Sequence, residues 1–99
     1  MKELFDKVVQ WAKDKNLIEG STWERQYVKL AEEKDELMVA LMANEVDEIR
    51  DELGDVLVVL TIIAAQQGLT LEECYAKAYN KISKRTGKTV NGIFVKDAA

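Results

Sequence analysis

Apolar residues recur every three or four positions over most of the chain, which is the period of an amphipathic helix. Residues 2–15 carry such a stripe on one side, and the polar segment NLIEGS ends it. A second helix is predicted from about Thr22 to Ala43, with Ser21 and Glu24 as a capping box at its start.

Asn44 divides the rest of the apolar pattern. Without a break there, one helix would cover residues 22–67 and extend about 69 Å at 1.5 Å per residue. That length is too great for a domain of 99 residues. We therefore predict a tight turn at Asn44, which is also expected to cap a third helix over residues 45–67.

The last third of the chain is predicted to hold a fourth helix and a tail. Thr70 and Glu73 form a capping box, and the helical pattern continues to about Thr86, where Gly87 stops it. The tail TVNGIFVKDAA contains a short extended segment. The pattern predicts one all-α domain over residues 1–99, a four-helix-bundle-like protomer with a short C-terminal extended tail.

The third predicted helix is apolar on almost every side. Its segment VLVVLTIIAA, residues 56–65, needs packing partners all round. A chain of this size buries only roughly 60–65% of its unfolded surface. We therefore expect the protomers to pack as a homo-oligomer, with a homodimer as the simplest form.

Four acidic residues are predicted to meet across the turn at Asn44. Glu36 and Glu52 each lie 8 positions from Asn44, and Glu33 and Asp55 each lie 11 positions from it. In an antiparallel helical hairpin these pairs fall at matching heights, about 12 and 16 Å from the turn. The two acids of each helix are spaced i, i+3 and share a face.

The predicted acids border apolar surface. Their line on the third helix continues as Val59 and Ile62, whereas a solvated face would stay polar. On the second helix the same edge continues through Lys29 and Gln26. Two interpretations are open, a charged helix surface with pairs four residues apart or a metal site. The matched heights and the scarcity of interleaved cations favour the metal site.

Carboxylate ligands suit hard cations, Mg²⁺ first and Mn²⁺ second. The chain has no histidine, which argues against a di-iron bundle site. Its single cysteine, Cys74, excludes an internal disulfide and argues against zinc, and we interpret it as structural. Four carboxylates leave positions for water and phosphate, as phosphoryl chemistry requires. Water is the expected attacking group, because no side chain resembles a covalent nucleophile beside a base.

Charge is distributed unevenly along the chain. The net charge of −4 argues against binding to duplex nucleic acid. No acidic residue lies between Cys74 and Lys96. Within that stretch, cations at the end of the fourth helix either complement the helix dipole or clamp a polyphosphate. We define the basic segment as Lys77, Lys81, Lys84, Arg85, Lys88 and Lys96.

The start MKELFDKVVQW is an amphipathic helix of mixed charge rather than a signal peptide. No apolar run is long enough to span a membrane. We therefore expect a cytoplasmic protein without membrane partners.

The acidic segments resemble a known family. KLAEEKDEL followed by DELGDVLVVL is similar to the E-E-x-x-E … E-x-x-D signature of the MazG-like, all-α nucleoside triphosphate pyrophosphohydrolases. The resemblance extends through QWAKDKNL and QYVKLAEE to YNKISKRTGKTVNGIFVK. It implies Mg²⁺-dependent cleavage of a nucleoside triphosphate to a monophosphate and pyrophosphate, by a homodimer or homotetramer of helical bundles.

The resemblance also implies roles for individual residues. Glu32 is a supporting acid, and the metal-binding, catalytic acids are Glu33, Glu36, Glu52 and Asp55. Close relatives often carry a basic residue at the position of Ser83, next to Lys84. The expected substrate-binding residues, including two on the edge that continues from the acids, are Gln26, Lys29, Asn80, Lys84, Arg85 and Lys88.

Other functions are open. A non-catalytic helical regulatory or interaction module would use the same acidic face to bind a basic partner. A related hydrolase would act on dUTP or on phosphoribosyl-ATP. Trp11 and Trp23 are interpreted either as core or interface anchors or as residues that stack on a base.

Overall fold

The computed structural model describes residues 1–98, along which four helices are followed by a β-hairpin. The helices are α1 (Lys2–Asp14), α2 (Trp23–Ala43), α3 (Val46–Gln66) and α4 (Leu71–Ile82). The antiparallel strands are β1 (Gly87–Val90) and β2 (Ile93–Lys96). The predicted four helices and extended tail are confirmed, and the tail is a two-stranded hairpin. Ala99, the last residue of the predicted tail, lies outside the described residues.

Threonine side chains cap the starts of α2 and α4. Thr70 Oγ1 accepts a hydrogen bond from the backbone N–H of Glu73 at 3.1 Å, at the predicted position. The predicted cap at Ser21 is wrong, because Thr22 Oγ1 accepts the bond from the N–H of Arg25 at 3.3 Å. Ser21 and Thr22 are adjacent and both carry a hydroxyl group. Thr22 is the capping residue, because its backbone has the extended conformation that a helix N-cap requires.

Asn44 forms the predicted turn between α2 and α3. Its backbone is left-handed, with φ 53° and ψ 39°, and it ends α2; asparagine tolerates this conformation better than most residues. Its predicted role as the cap of α3 is wrong, because Glu45 occupies that position and makes no side-chain capping bond. The turn folds α3 back along α2, and these two helices form the largest packing interface of the chain.

The fourth helix ends at Ile82, so its predicted extension to Thr86 is wrong. The backbone N–H of Asp97 donates to the carbonyl of Thr86 at 2.9 Å, which draws Thr86 into the hairpin instead. Asn91 and Gly92 close the hairpin with φ values of 52° and 80°, a pair typical of two-residue hairpin turns.

The enclosed core of one chain is small. Within residues 1–98, no large side chain is fully buried. The radius of gyration is 16.0 Å, whereas a compact domain of 100 residues has about 13 Å. The protomer is therefore open. The buried apolar residues are Ala12, Ala40, Val59, Ile62 and Ala64.

The sequence pattern predicts an apolar stripe on α2 that is only partly buried within the chain; its residues are Trp23, Tyr27, Leu30, Leu37, Met38 and Leu41. Gln26, Glu33 and Ala40 are the buried residues of this helix. Among the described elements, α2 packs on α3 alone, which leaves its other faces outside the chain's own core. Four members of the stripe are more than half exposed: Trp23, Tyr27, Met38 and Leu41.

No single helix within residues 1–98 combines the length and apolar content that crossing a bilayer requires. The pair Val46–Gln66 and Leu71–Ile82 meets those criteria of length and composition only when joined, and the two helices are bent by 100°.

Candidate functional site

Three carboxylates meet where α2 and α3 face each other. Glu33 and Glu36 come from α2 and Glu52 comes from α3, and one oxygen of each lies within 4.8 Å of the others. The turn at Asn44 brings them together, because residues equally far from a hairpin turn lie side by side. We call these three residues the carboxylate cluster.

Two of the three carboxylates in the cluster are shielded from solvent. Glu33 is only 6% exposed, and Glu52 is half-buried. Glu33 Oε2 and Glu52 Oε2 are both buried without a hydrogen-bond partner. A buried anionic oxygen is costly unless something pairs with it. These two oxygens therefore fit a hard cation, whose usual protein ligands are carboxylate oxygens.

The surroundings raise the pKa of Glu52 to about 7. Desolvation is the largest cause, followed by the hydrogen bond and the negative charge of Glu36, and then by the charge of Asp55. Near neutral pH, Glu52 thus retains a proton in a large share of molecules that hold no cation. A cation and a proton are alternative ways to relieve the same repulsion.

Asp55 lies beside the carboxylate cluster rather than in it. Its side chain is exposed and outside the group of oxygens that lie within 4.8 Å. Its charge still acts on Glu52, and it lines a pocket together with Glu33. The sequence predicts that four carboxylates meet. The structure brings three of them together, with Asp55 beside them. Val59 and Ile62 lie on the same line of α3 as Asp55 and are buried, whereas Asp55 is exposed, so helix pitch and face alone do not fix how closely each acid approaches the cluster.

Lys29 supplies a positive charge at the edge of the cluster. Its Nζ lies 3.4 Å from Glu33 Oε1 and 3.5 Å from Glu32 Oε2. The hydrogen bond to Glu33, with the charges of both acids, raises the pKa of Lys29. Two other cations near the acids pair elsewhere: Lys34 pairs with Asp35, and Arg50 pairs with Asp47.

A pocket of about 470 Å³ extends from Glu33 and Asp55 along the junction of α2 and α3. Arg25, Gln26 and Lys29 form its polar wall on α2. The volume lies within the range of small-molecule sites, about 300–1,000 Å³. We call this cavity the α2–α3 pocket; Gln26 and Lys29, both predicted from the sequence, line it together with the acids.

The far end of the α2–α3 pocket is apolar and involves α1. Trp11 and Leu17 line the pocket together with Ile62. The side chain of Gln66 donates to the carbonyl of Leu17 at 3.2 Å, across 49 positions in the sequence. This long-range contact explains why sequence analysis missed Leu17. Arg25 was also missed, although its spacing of four from Lys29 places both on one face of α2.

The structure does not bring the basic segment to the carboxylate cluster. Asn80 is exposed on α4, and Lys84, Arg85 and Lys88 are exposed beyond it. None of these three cations forms an ion pair within the described part of the chain, and none lines the α2–α3 pocket. The bend of 100° between α3 and α4 carries them away. Their expected contacts with phosphate stay a prediction.

Residues 22–90 match the family of the MazG nucleotide pyrophosphohydrolase domain. The matched segment contains α2, α3, α4 and β1, and with them the whole carboxylate cluster. The chain belongs to this family. Helix α1 precedes the matched MazG segment, so Trp11 and Leu17 lie outside it.

A phage protein shares part of this sequence. The uncharacterized 18.2 kDa protein in the rep-hol intergenic region of Haemophilus phage HP1 (strain HP1c1) is 42% identical over 66 residues. The alignment covers 67% of this MazG chain and 40% of the phage protein, so the chain matches less than half of that relative's length. No solved structure matches the chain.

Proposed function

We propose that the chain is a Mg²⁺-dependent nucleoside triphosphate pyrophosphohydrolase. Water hydrolyses the P–O–P bridge between the α and β phosphates, and the products are the nucleoside monophosphate and pyrophosphate. One observation carries the proposal within this family: the three oxygens of the carboxylate cluster lie within 4.8 Å of one another, and two buried oxygens of the same residues have no partner.

Glu33, Glu36 and Glu52 would hold the cation, with Asp55 beside them. Their all-oxygen donor set suits Mg²⁺ and, second to it, Mn²⁺. When bound, the cation supplies charge neutralisation at the phosphates and acidifies a water molecule. Lys29 places a positive charge at the edge of this donor set, because its ammonium group lies 3.4 Å from the Glu33 carboxylate.

The α2–α3 pocket supplies the substrate contacts. Lys29 adds positive charge next to the acids, where a phosphate chain needs it, and Arg25 adds it further along the same pocket wall. The apolar wall of Val58, Val59 and Ile62 takes the nucleoside and excludes water from that side of the site.

Surface area supports a homo-oligomer. The chain exposes 7916 Å², whereas a compact monomer of this mass exposes about 5,700 Å². The excess, roughly 2,200 Å², exceeds the roughly 800 Å² that one partner contributes to a standard interface. A homodimer or homotetramer would cover the exposed stripe on α2. It would also allow Asn80 and the basic segment of a second copy to contact phosphates at this site.

The test is pyrophosphate release from the common ribo- and deoxyribonucleoside triphosphates, with Mg²⁺ and with EDTA. We expect release with Mg²⁺ alone. Glu36→Gln should lower the rate about 100-fold or more, since even residues that only orient metal ligands account for 10–100-fold effects. Asp35→Asn is the matched control, because Asp35 pairs with Lys34 outside the cluster.

Two results would reject the proposal. One is a folded chain that releases no pyrophosphate with Mg²⁺ or Mn²⁺. The other is a Glu36→Gln variant that retains full activity. If Glu36→Gln instead weakened a complex with a basic protein and Mg²⁺ had no effect, the interaction module would replace the enzyme.

A further inference from the structure

We propose that Trp11 is the residue on which the base of the substrate stacks, and that Leu17 and Ile62 complete the base-binding end of the α2–α3 pocket. The inference rests on the proposed function and refines it. It assigns the site to nucleosides held by stacking, in preference to polyphosphates that carry no base.

The axial order of the pocket residues separates a phosphate end from a base end. Glu33 and Gln26 are seven residues apart on α2, as are Asp55 and Ile62 on α3, which corresponds to about 10 Å along each helix. When a phosphate lies at the acids, the rest of the pocket is therefore about as long as one nucleoside. Trp11 lines the same cavity, and the hydrogen bond from Gln66 to the carbonyl of Leu17 holds the neighbouring segment one helical turn beyond Ile62, on the side away from the acids.

Trp11 is accessible rather than enclosed in the core. It is 48% exposed, whereas the adjacent Ala12, the buried residue of α1, is 0% exposed. Trp23 is also half exposed, but it does not line the α2–α3 pocket. Of the two tryptophans, Trp11 alone therefore combines an accessible ring with a position in the pocket.

The wall that carries Trp11 is held in place before any substrate binds. The backbone N–H of Leu17 donates to the carbonyl of Ala12 at 2.8 Å, and Gln66 donates to the carbonyl of Leu17 at 3.2 Å. The segment that forms this wall precedes residues 22–90 of the family match. Trp11 and Leu17 therefore lie outside the matched segment, whereas Ile62 lies within it.

The surroundings of Trp11 favour stacking over recognition of the base edge. Within the described part of the chain, the pocket lining near Trp11 is apolar except for Arg25 and Gln26. One amide N–H of Gln26 is donated to Ser21 Oγ at 3.0 Å, which fixes the orientation of that amide. Stacking on an aromatic ring tolerates every base, because each base has a π face. We expect affinities that vary only a few-fold among the bases.

Binding measurements on the full chain test this assignment. The probes are α,β-methylene-dATP, in which the bridge between α and β phosphates resists hydrolysis, and inorganic tripolyphosphate, both titrated by calorimetry with Mg²⁺. Trp11→Leu should weaken the nucleotide about tenfold, and Trp11→Phe should keep it within about threefold. Neither variant should change the affinity for tripolyphosphate.

Fluorescence supplies a matched pair of single-tryptophan chains. In Trp23→Phe, Trp11 is the sole tryptophan, and the nucleotide should quench its emission while tripolyphosphate does not. In Trp11→Phe, Trp23 remains, and the nucleotide should leave its emission unchanged. Quenching confined to the Trp11→Phe chain would overturn the assignment.

The outcomes separate this inference from the proposed activity. If Trp11→Leu bound the nucleotide like the unchanged chain, or lost both probes equally, stacking on Trp11 would be rejected even in an active enzyme. If Trp11 emission were quenched but no pyrophosphate were released, the hydrolysis proposal would fail and the base site would stand. A chain that bound neither probe would contradict both.

Discussion

Lys29 Nζ lies 3.4 Å from Glu33 Oε1, while the other oxygen of the same carboxylate is buried without a partner. Glu33 is thus satisfied on one side by a cation of its own helix and open on the other toward the carboxylate cluster. The protein supplies one positive charge and leaves a second to be supplied from outside.

Lys29→Met should destabilise the metal-free protein by about 1 kcal/mol, since the pair is partly exposed and solvent screens it. Saturating Mg²⁺ should reduce that loss, because the cation then compensates the charge of Glu33. Urea unfolding with EDTA and with Mg²⁺ measures both values. Lys34→Met is the control. If Lys29→Met lowered the free energy of unfolding equally with EDTA and with Mg²⁺, Lys29 and the cation would not both compensate the charge of Glu33.

The raised pKa of Glu52 predicts a pH dependence of stability in the absence of metal. A carboxyl group whose folded-state pKa is raised to about 7 from 4.5 contributes stability that is fully present below the lower value and lost as pH rises through the higher one. Urea unfolding in EDTA from pH 5 to 8 should show this loss. Glu52→Gln should remove it, and an unchanged pH profile in that variant would assign the effect elsewhere.

Removing a neighbouring acid should lower the pKa of Glu52. Glu36→Gln should lower it more than Asp55→Asn, because the contributions of Glu36 precede that of Asp55 among the causes. Titration of the Glu52 carboxyl carbon by NMR without metal measures the two shifts. The opposite order would place Asp55 in the carboxylate cluster and Glu36 outside it.

Metal affinity should rise with pH through the same range. Since the ligands must lose their protons to bind a cation, uptake of Mg²⁺ should weaken up to tenfold per pH unit below about 7, where Glu52 is protonated. Calorimetry in buffers of different ionisation enthalpy should detect proton release at pH 6.5 and almost none at pH 8.5. Proton release that did not change with pH would contradict this linkage.

The exposed stripe on α2 should mediate self-association. Met38 is 60% exposed, and Met38→Glu would place a charge in an apolar interface, which is costly without a partner. Analytical ultracentrifugation should show an oligomer for the unchanged chain and for Lys34→Glu, and a monomer for Met38→Glu. A monomeric unchanged chain would reject the homo-oligomer.

Much of the site was predictable because its causes are local. The turn at Asn44 and the heights of Glu36 and Glu52 follow from helix pitch and from one residue that accepts a left-handed backbone. The hairpin also had a signal in Asn91 and Gly92, although only a short extended segment was predicted.

The sequence by itself determined the helices, the turn and the pairing of acids across it, since hydrogen bonds and backbone preferences act over a few residues. Tertiary structure alone decided that Val59 is buried while Asp55, one turn away on the same line of α3, is exposed. It also decided that Gln66 holds Leu17, and with it α1, against the pocket, and that the basic segment lies away from the acids. These outcomes depend on packing summed over residues far apart in the chain, which no local pattern encodes.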